Sequence, residues 1–409
     1  MTKLDTTKFL PMAIEFLKEI IRIPSTSGKE EQAIQLIYNR IERLVDEIEL
    51  APLDNNLKDD PDYSFPIENI DYSGRHNLRA VLKGNGAGKS VLFNTHVDVV
   101  PPSALQERAF DPYEKDGLIY GRGACDAKGQ IATLFLILNL IQKSKLKFPG
   151  DIIFHFVVEE ENGGNGTLAA IRVGEQADAA IVMEPTGMKI LPFVRGAVWF
   201  RVTSVGKPGH SGSGGRRISA LDLAVEAMAI MRNYHDRLLA ASKGIPLFDD
   251  FDDPMPITYG KCHAGDWPAT IPNTAILEGV LGFLPNKTKE QVMQELRDAI
   301  SETGSEDLKS NFQIDYVYRH DCHTLSPDHH LVKSLANACL KTGIQPAISA
   351  MAASCDSWFY QNQLKIPTVV FGPGNLGVAH SNQEHIAISQ IEQAAKTLFE
   401  FLRNWCNSL

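Results

Sequence analysis

Val91-Leu-Phe-Asn-Thr-His96-Val-Asp98 and Ile152-Ile-Phe-His-Phe-Val-Val-Glu159-Glu160-Glu161 are the two stretches on which the fold turns. Each opens as a short, mainly apolar run of the kind that forms a buried strand, and each ends in side chains that bind metals or move protons. Ala179-Ala-Ile-Val-Met183 repeats the pattern and delivers Glu184, and Thr368-Val-Val-Phe371 runs through Gly-Pro-Gly-Asn towards His380. Helical patterns lie between these runs, over Gly129–Lys143 and Ala220–Ala241. Such alternation specifies an α/β domain with a mixed, largely parallel sheet flanked by helices, and the ligands of such sheets bind beyond the carboxyl ends of the strands. The polar residues sit at those ends.

Composition agrees with a globular protein. At 409 residues, 44% hydrophobic and 22% charged, the chain has room for roughly two to three domains. The apolar stretches Ile131–Ile141 and Ile366–Phe371 fall well short of the roughly 20 residues that cross a bilayer, so no membrane partner is expected. The segment Met1–Ile23 mixes Lys3, Asp5, Lys8, Glu15, Lys18 and Glu19 with apolar residues, which reads as an amphipathic helix and not a signal peptide. Six cysteines, at positions 125, 262, 322, 339, 355 and 406, form no CxxC pair, so reduced thiols in the cytoplasm are expected. A formal charge of −10, with only small basic doublets such as Arg216-Arg217, excludes a nucleic-acid footprint.

In Gly121-Arg-Gly-Ala-Cys-Asp126-Ala-Lys-Gly129 a glycine-rich loop holds Asp126 just before a helix, with N-capping as a compatible second role. Two histidines and several carboxylates therefore converge on one rim. Neutral imidazoles suit zinc, carboxylates offset the charge of two divalent ions, and one Asp can bridge both. A water shared by two cations is a nucleophile near neutral pH. His96 and Asp98 are two apart on a strand and face the same way, so Asp98 is placed to orient the imidazole. Consecutive glutamates such as Glu160 and Glu161 do not easily reach one ion together, which leaves one as ligand and the other as base.

Other motifs fail on spacing. Gly84-Asn-Gly-Ala-Gly88-Lys-Ser90 has Lys83 where a phosphate loop requires glycine and is followed by a strand, so it reads as a hairpin-like turn. Gly121-Arg-Gly123 has Asp126 in place of the third dinucleotide-binding glycine, where a carboxylate repels pyrophosphate. Ser211 and Ser213 each lack one glycine of the serine-hydrolase elbow, and no HExxH helix exists.

Together with Glu159-Glu-Glu-Asn-Gly-Gly-Asn-Gly-Thr167 and Glu184-Pro-Thr186, the His96-Val-Asp98, Asp126 and His380 motifs resemble, in order and spacing, the two-metal hydrolases of the aminoacylase, acetylornithine deacetylase, succinyl-diaminopimelate desuccinylase and carboxypeptidase G family. The likeness covers nearly the whole chain. It implies two divalent metal ions, zinc with cobalt or manganese as alternatives. Asp126 would bridge them, His96 and Glu184 would complete one, and Glu161 and His380 the other. It further implies Glu160 as general base, Asp98 as the residue steering His96, and hydrolysis of an amide in an N-acyl amino acid or small peptide-like substrate. The catalytic domain would be residues 1–194 and 318–409, with a lid and dimerisation domain inserted over 195–317. Gly206-Lys-Pro-Gly-His210-Ser looks like the family's lid motif, implying a homodimer in which His210 stabilises the oxyanion.

Two positions depart from the family: Ala269 stands in place of an Asn, and Gly282 in place of an Arg, that help bind substrate in many relatives. Gly265–Pro285 resembles a less characterised deacylase branch. Arg319 is an alternative clamp for a substrate carboxylate, since a planar guanidinium grips one bidentately. Asp356 and Glu384 are expected near the site as braces. His155, His235, His263, His329 and His330, without such neighbours, are expected to be structural or exposed. Two other functions fit the same motifs: an exopeptidase acting on dipeptides, and a non-catalytic metal- or ligand-binding protein.

Overall fold

Four parallel strands with aligned carboxyl ends make the centre of the molecule. In the computed structural model, which describes residues 5–212 and 215–407, Ile152–Val157, Val91–His96, Ala180–Val182 and Thr368–Val370 lie side by side in that order. His96 pairs with Val157, Asn94 with Val182, and Val370 with Val182. Everything that follows these strands therefore leaves from one edge of the sheet. Antiparallel strands close both sides: His76–Leu82 and Glu47–Pro52 beyond Ile152–Val157, and Ile190–Val194 with His323–Thr324 beyond Thr368–Val370. The result is a mixed α/β sheet whose parallel part carries the polar strand ends. The 84–90 loop is not a hairpin, because Ile152–Val157 lies between the strands that flank it.

The first three central strands are buried at every position, which is why their sequences are apolar runs without alternation. The helix Lys128–Ser144 packs against both Leu10–Ile21 and Ile388–Trp405 and is buried at every position from Lys128 to Ile141. Leu10–Ile21 is the amphipathic N-terminal helix, burying Ala13, Ile14, Phe16, Leu17, Ile20 and Ile21. Lys3 lies outside the described residues, as does Ser213. Among the described residues no helix is long and apolar enough to cross a membrane.

A second, wholly antiparallel sheet runs Ile257–Ala264, Thr274–Phe283, Gly196–Val205, Phe312–His320. Along Gly196–Val205 burial alternates from Val198 onward: Val198, Phe200 and Val202 enter a separate core with Met231, Leu277 and Leu296, while Trp199 and Arg201 face the other way. Helices Ala220–Ala241 and Lys289–Thr303 cover this core. Ser219 caps the first, and Thr288 with Gln291 forms a capping box on the second.

Candidate metal centre

The edge where the parallel strands end gathers the histidines and carboxylates. Asp126 is the centre of the group. Its Oδ1 lies 2.9 Å from His96 Nε2, and its Oδ2 lies 3.4 Å from His380 Nε2. His380 Nε2 is 2.9 Å from Glu161 Oε1, and His96 Nε2 is 4.0 Å from Glu184 Oε2. One ligand atom each from His96, Asp126 and Glu161 lie within 4.8 Å of one another. One carboxylate thus presents its two oxygens to two imidazoles that are 284 positions apart in the chain, a geometry suited to bridging two cations.

Each member is held by a local device. The Asp98 carboxylate accepts the backbone N–H of Glu160 at 3.1 Å and of Glu161 at 3.0 Å, while His96 Nδ1 donates to the Asp98 carbonyl at 3.0 Å. Asp98 therefore orients His96 through its carbonyl, with its Oδ1 3.5 Å from the same Nδ1, and holds the glutamate turn through its side chain. Glu159 enters that turn at a φ of 60° and is locked there by Arg75, by Tyr72 at 2.7 Å and by Asn165 at 3.0 Å. Gly164, at φ 70°, could carry no side chain, since a Cβ there would sit 2.4 Å from Asp356 Oδ1. His320 Nε2 donates to the Gly163 carbonyl at 3.0 Å and its Nδ1 accepts from Tyr318 at 2.8 Å, bracing the same turn from the second sheet.

Glu384 holds the opposite side. Its Oε1 accepts the N–H groups of Cys125 and Asp126, both at 3.1 Å, and its Oε2 pairs with buried Arg122, which also donates to the His380 carbonyl. One buried ion pair thus fixes Asp126 relative to His380. Asp126 does not cap the following helix: Ala127 is the N-cap and no side chain bonds there, because the carboxylate is turned to the two imidazoles.

Burial penalises every charge in this cluster, and its carboxylates outnumber its cationic groups. Burial, reinforced by neighbouring carboxylates, pushes Glu160, Glu161 and Glu184 above the usual carboxylate range. Burial also opposes the imidazolium forms, yet the surrounding carboxylates, Asp126 with Asp98 and Glu184 at His96 and Asp126 with Glu161 at His380, outweigh it and raise both, the latter to about 11. Crowded, dehydrated carboxylates around two imidazoles lack compensating positive charge. The donor set fits a pair of divalent cations, which would take the imidazoles in neutral form.

Of the remaining expected residues, Asp356 lies against the glutamate turn as a brace, and the others lie elsewhere. His210 is exposed on the second sheet's loop, bridging to Thr270 beside Ala269, and no contact joins it to the cluster among the described residues. Arg319 is turned away from the role of carboxylate clamp: its guanidinium donates to the Tyr63 carbonyl and lies over the Phe65 ring. A half-buried guanidinium needs acceptors, and this loop supplies one. At Gly282 the space for a side chain is taken, since a Cβ would meet the Arg195 guanidinium at 2.5 Å. Asp356 accepts from Thr167, and burial raises it to about 7. His155, His235 and His329 are structural, bonded to Tyr360 and Glu175, to the Met255 carbonyl, and to the Leu331 N–H as a helix cap. His320 was not anticipated, although Tyr318 and His320 share the two-residue strand spacing used to link His96 with Asp98.

Comparison with known proteins places this geometry. The profile described as Peptidase family M20/M25/M40 matches residues 92–404. The chain is 29% identical over 374 residues to N-formyl-4-amino-5-aminomethyl-2-methylpyrimidine deformylase of Bacillus subtilis, covering 84% of this chain and 86% of the relative. It is 26% identical over 406 residues to acetylornithine deacetylase of Shigella sonnei, covering 97% and 98%. Its fold matches the solved structure of the di-peptidase Dug1p from Saccharomyces cerevisiae with a TM-score of 0.81 at 15% identity, over 98% of this chain and 97% of that one. The chain belongs to peptidase family M20/M25/M40, and it is a metal-dependent hydrolase of amide or peptide bonds.

Proposed function

We propose that the chain is a deacylase, removing a small acyl group from an acylated amine or amino acid with water as the nucleophile. The observation that carries this reading is Asp126, whose two oxygens face two different imidazoles. His96, Asp126 and Glu184 would hold one divalent ion, and Asp126, Glu161 and His380 the other. Zinc, or cobalt or manganese in its place, would polarise the substrate carbonyl and acidify the bound water. Glu160 then takes the water's proton and returns it to the leaving nitrogen. Its buried carboxyl lies just beyond the strand end and stands next to the proposed ligand Glu161, the placement a proton-transferring group needs. The named activities of the two sequence relatives, a deformylase and a deacetylase, favour acyl removal over dipeptide cleavage.

We read residues 195–317 as an inserted lid, supported by the separate core of the second sheet, with the bound moved to 320 because the strand Phe312–His320 stays in that sheet to its end. His210, exposed and remote from its own cluster, supports a homodimer in which His210 of the partner subunit donates to the oxyanion. All six cysteines are free, in keeping with a cytoplasmic protein.

A screen of formyl, acetyl, succinyl and peptidyl substrates with metal-loaded protein tests the reaction. Glu160→Gln should keep its metals, measured by elemental analysis, and lose at least about a hundredfold in kcat. Full activity in that variant would remove Glu160 from its role, and activity confined to peptides would overturn the deacylase reading.

A further inference from the structure

A cavity of about 340 Å³ lies beside the metal centre, between the strand-end rim and the second sheet, and Glu161 is part of its wall. Its other walls are mainly apolar. Val100 and Pro101 come from the rim, Ile67 from the loop above it, and Trp199, Val280 and Val317 from the second sheet. Trp199 and Val280 are cross-strand partners, and strand alternation puts both on the face opposite the lid core. The Trp199 indole is held rigidly, stacked on Tyr318 with ring centres 4.9 Å apart and planes at 10°.

Charge at the cavity is already satisfied. Glu278 is paired with Arg201 at 2.9 Å and with Lys261 at 3.8 Å, and Arg201 also meets Glu68 at 3.2 Å. Among the described residues that line the cavity, Lys261 is the one cationic side chain, and it is engaged with Glu278. On the second-sheet side, away from the metal centre, a free anionic group would meet Glu278 with its cationic partners already engaged. An apolar group would meet a preformed, apolar wall with a flat aromatic surface.

We propose that this cleft is the specificity pocket, and that it selects substrates carrying a bulky, uncharged, apolar substituent next to the scissile amide. Glu161 fixes the connection. As a wall of the cavity and a member of the ligand cluster, it makes the cavity that Trp199 and Val280 line continuous with the place where the amide would be held. The position of the amide rests on the proposed hydrolase reading, whereas the cleft's affinity for apolar groups does not.

Two measurements separate these claims. Metal-loaded protein is assayed with N-acetylphenylalanine, N-acetylleucine, N-(3-phenylpropanoyl)glycine, N-acetylglycine and N-acetylaspartate. At least one bulky apolar substrate should exceed both N-acetylglycine and N-acetylaspartate by about tenfold or more in kcat/KM, and Val280→Trp should collapse that ratio. Calorimetric titration should show uncharged 3-phenyl-1-propanol binding about tenfold tighter than 1-propanol to the wild type, with the difference lost in Val280→Trp. N-acetylglycine or N-acetylaspartate as the best substrate, or a ratio unmoved by Val280→Trp, would overturn the pocket. If no amide is hydrolysed, the deacylase reading fails and titration alone decides: a tenfold preference for the phenyl alcohol supports the pocket, and equal or absent binding overturns it.

Discussion

Asp126 carries more of this site than any other residue, and its position depends on a neighbour that touches no proposed ligand atom. Glu384 accepts the backbone N–H groups of Cys125 and Asp126, and its partner Arg122 reaches the His380 carbonyl. Glu384→Gln keeps the shape of the side chain but removes the charge opposite a buried guanidinium. Metal affinity should fall by about 10- to 100-fold, the usual scale for partners that orient ligands, as read by competition with a chromophoric chelator. Unchanged affinity would reduce Glu384 to a packing residue. The sequence indicated the strand-end residues because an apolar run stopping at His96, Glu159 or Glu184 has one edge at which to stop. It did not indicate side-chain direction where tertiary acceptors compete. Arg319 turns to the Tyr63 carbonyl, and Asp126 faces imidazoles instead of capping its helix.

At the scale of elements, the turn Glu159–Gly164 is where the two sheets meet. It is gripped by Asp98 from the parallel sheet and by His320 from the second. Burial drives the His320 pKa from 6.5 down to about 3, and its two hydrogen bonds suit a neutral ring with the proton on Nε2. A depressed histidine stabilises the fold fully above its unfolded pKa and loses that contribution as pH falls from 6.5 towards the folded value. Between pH 7 and pH 5 the loss amounts to about 2 kcal/mol. In urea unfolding of metal-free protein, the wild type should lose about 2 kcal/mol more than His320→Gln over that interval. Equal losses would mean that His320 is already protonated or solvated. The strands themselves were legible from burial on both faces. The brace was not, because a lone Tyr-x-His in a strand gives no sign of which turn it meets.

At the scale of the molecule, two hydrophobic cores are joined by a seam that carries the metal cluster on one side and the apolar cleft on the other. The cluster is electrostatically incomplete by itself, since buried carboxylates crowd it and raise one another. Cations that bind only the folded state stabilise it by mass action, by about 2.7 kcal/mol at a free concentration one hundred times Kd. Stripping metal with a chelator should therefore lower Tm as well as abolish turnover, and adding zinc should restore both. A Tm indifferent to metal would indicate that the carboxylates are content with protons alone. The family resemblance raised the expectation of an insert, whereas the packing of the second sheet against the rim follows from contacts that the order of residues does not display.

The account stands on the claim that Asp126 bridges two cations. Anomalous diffraction from crystals of the zinc-loaded protein tests it directly. Two peaks should flank the Asp126 carboxylate, one beside His96 and Glu184 and the other beside Glu161 and His380. A single peak not shared by Asp126, or none at this edge of the sheet, would contradict it.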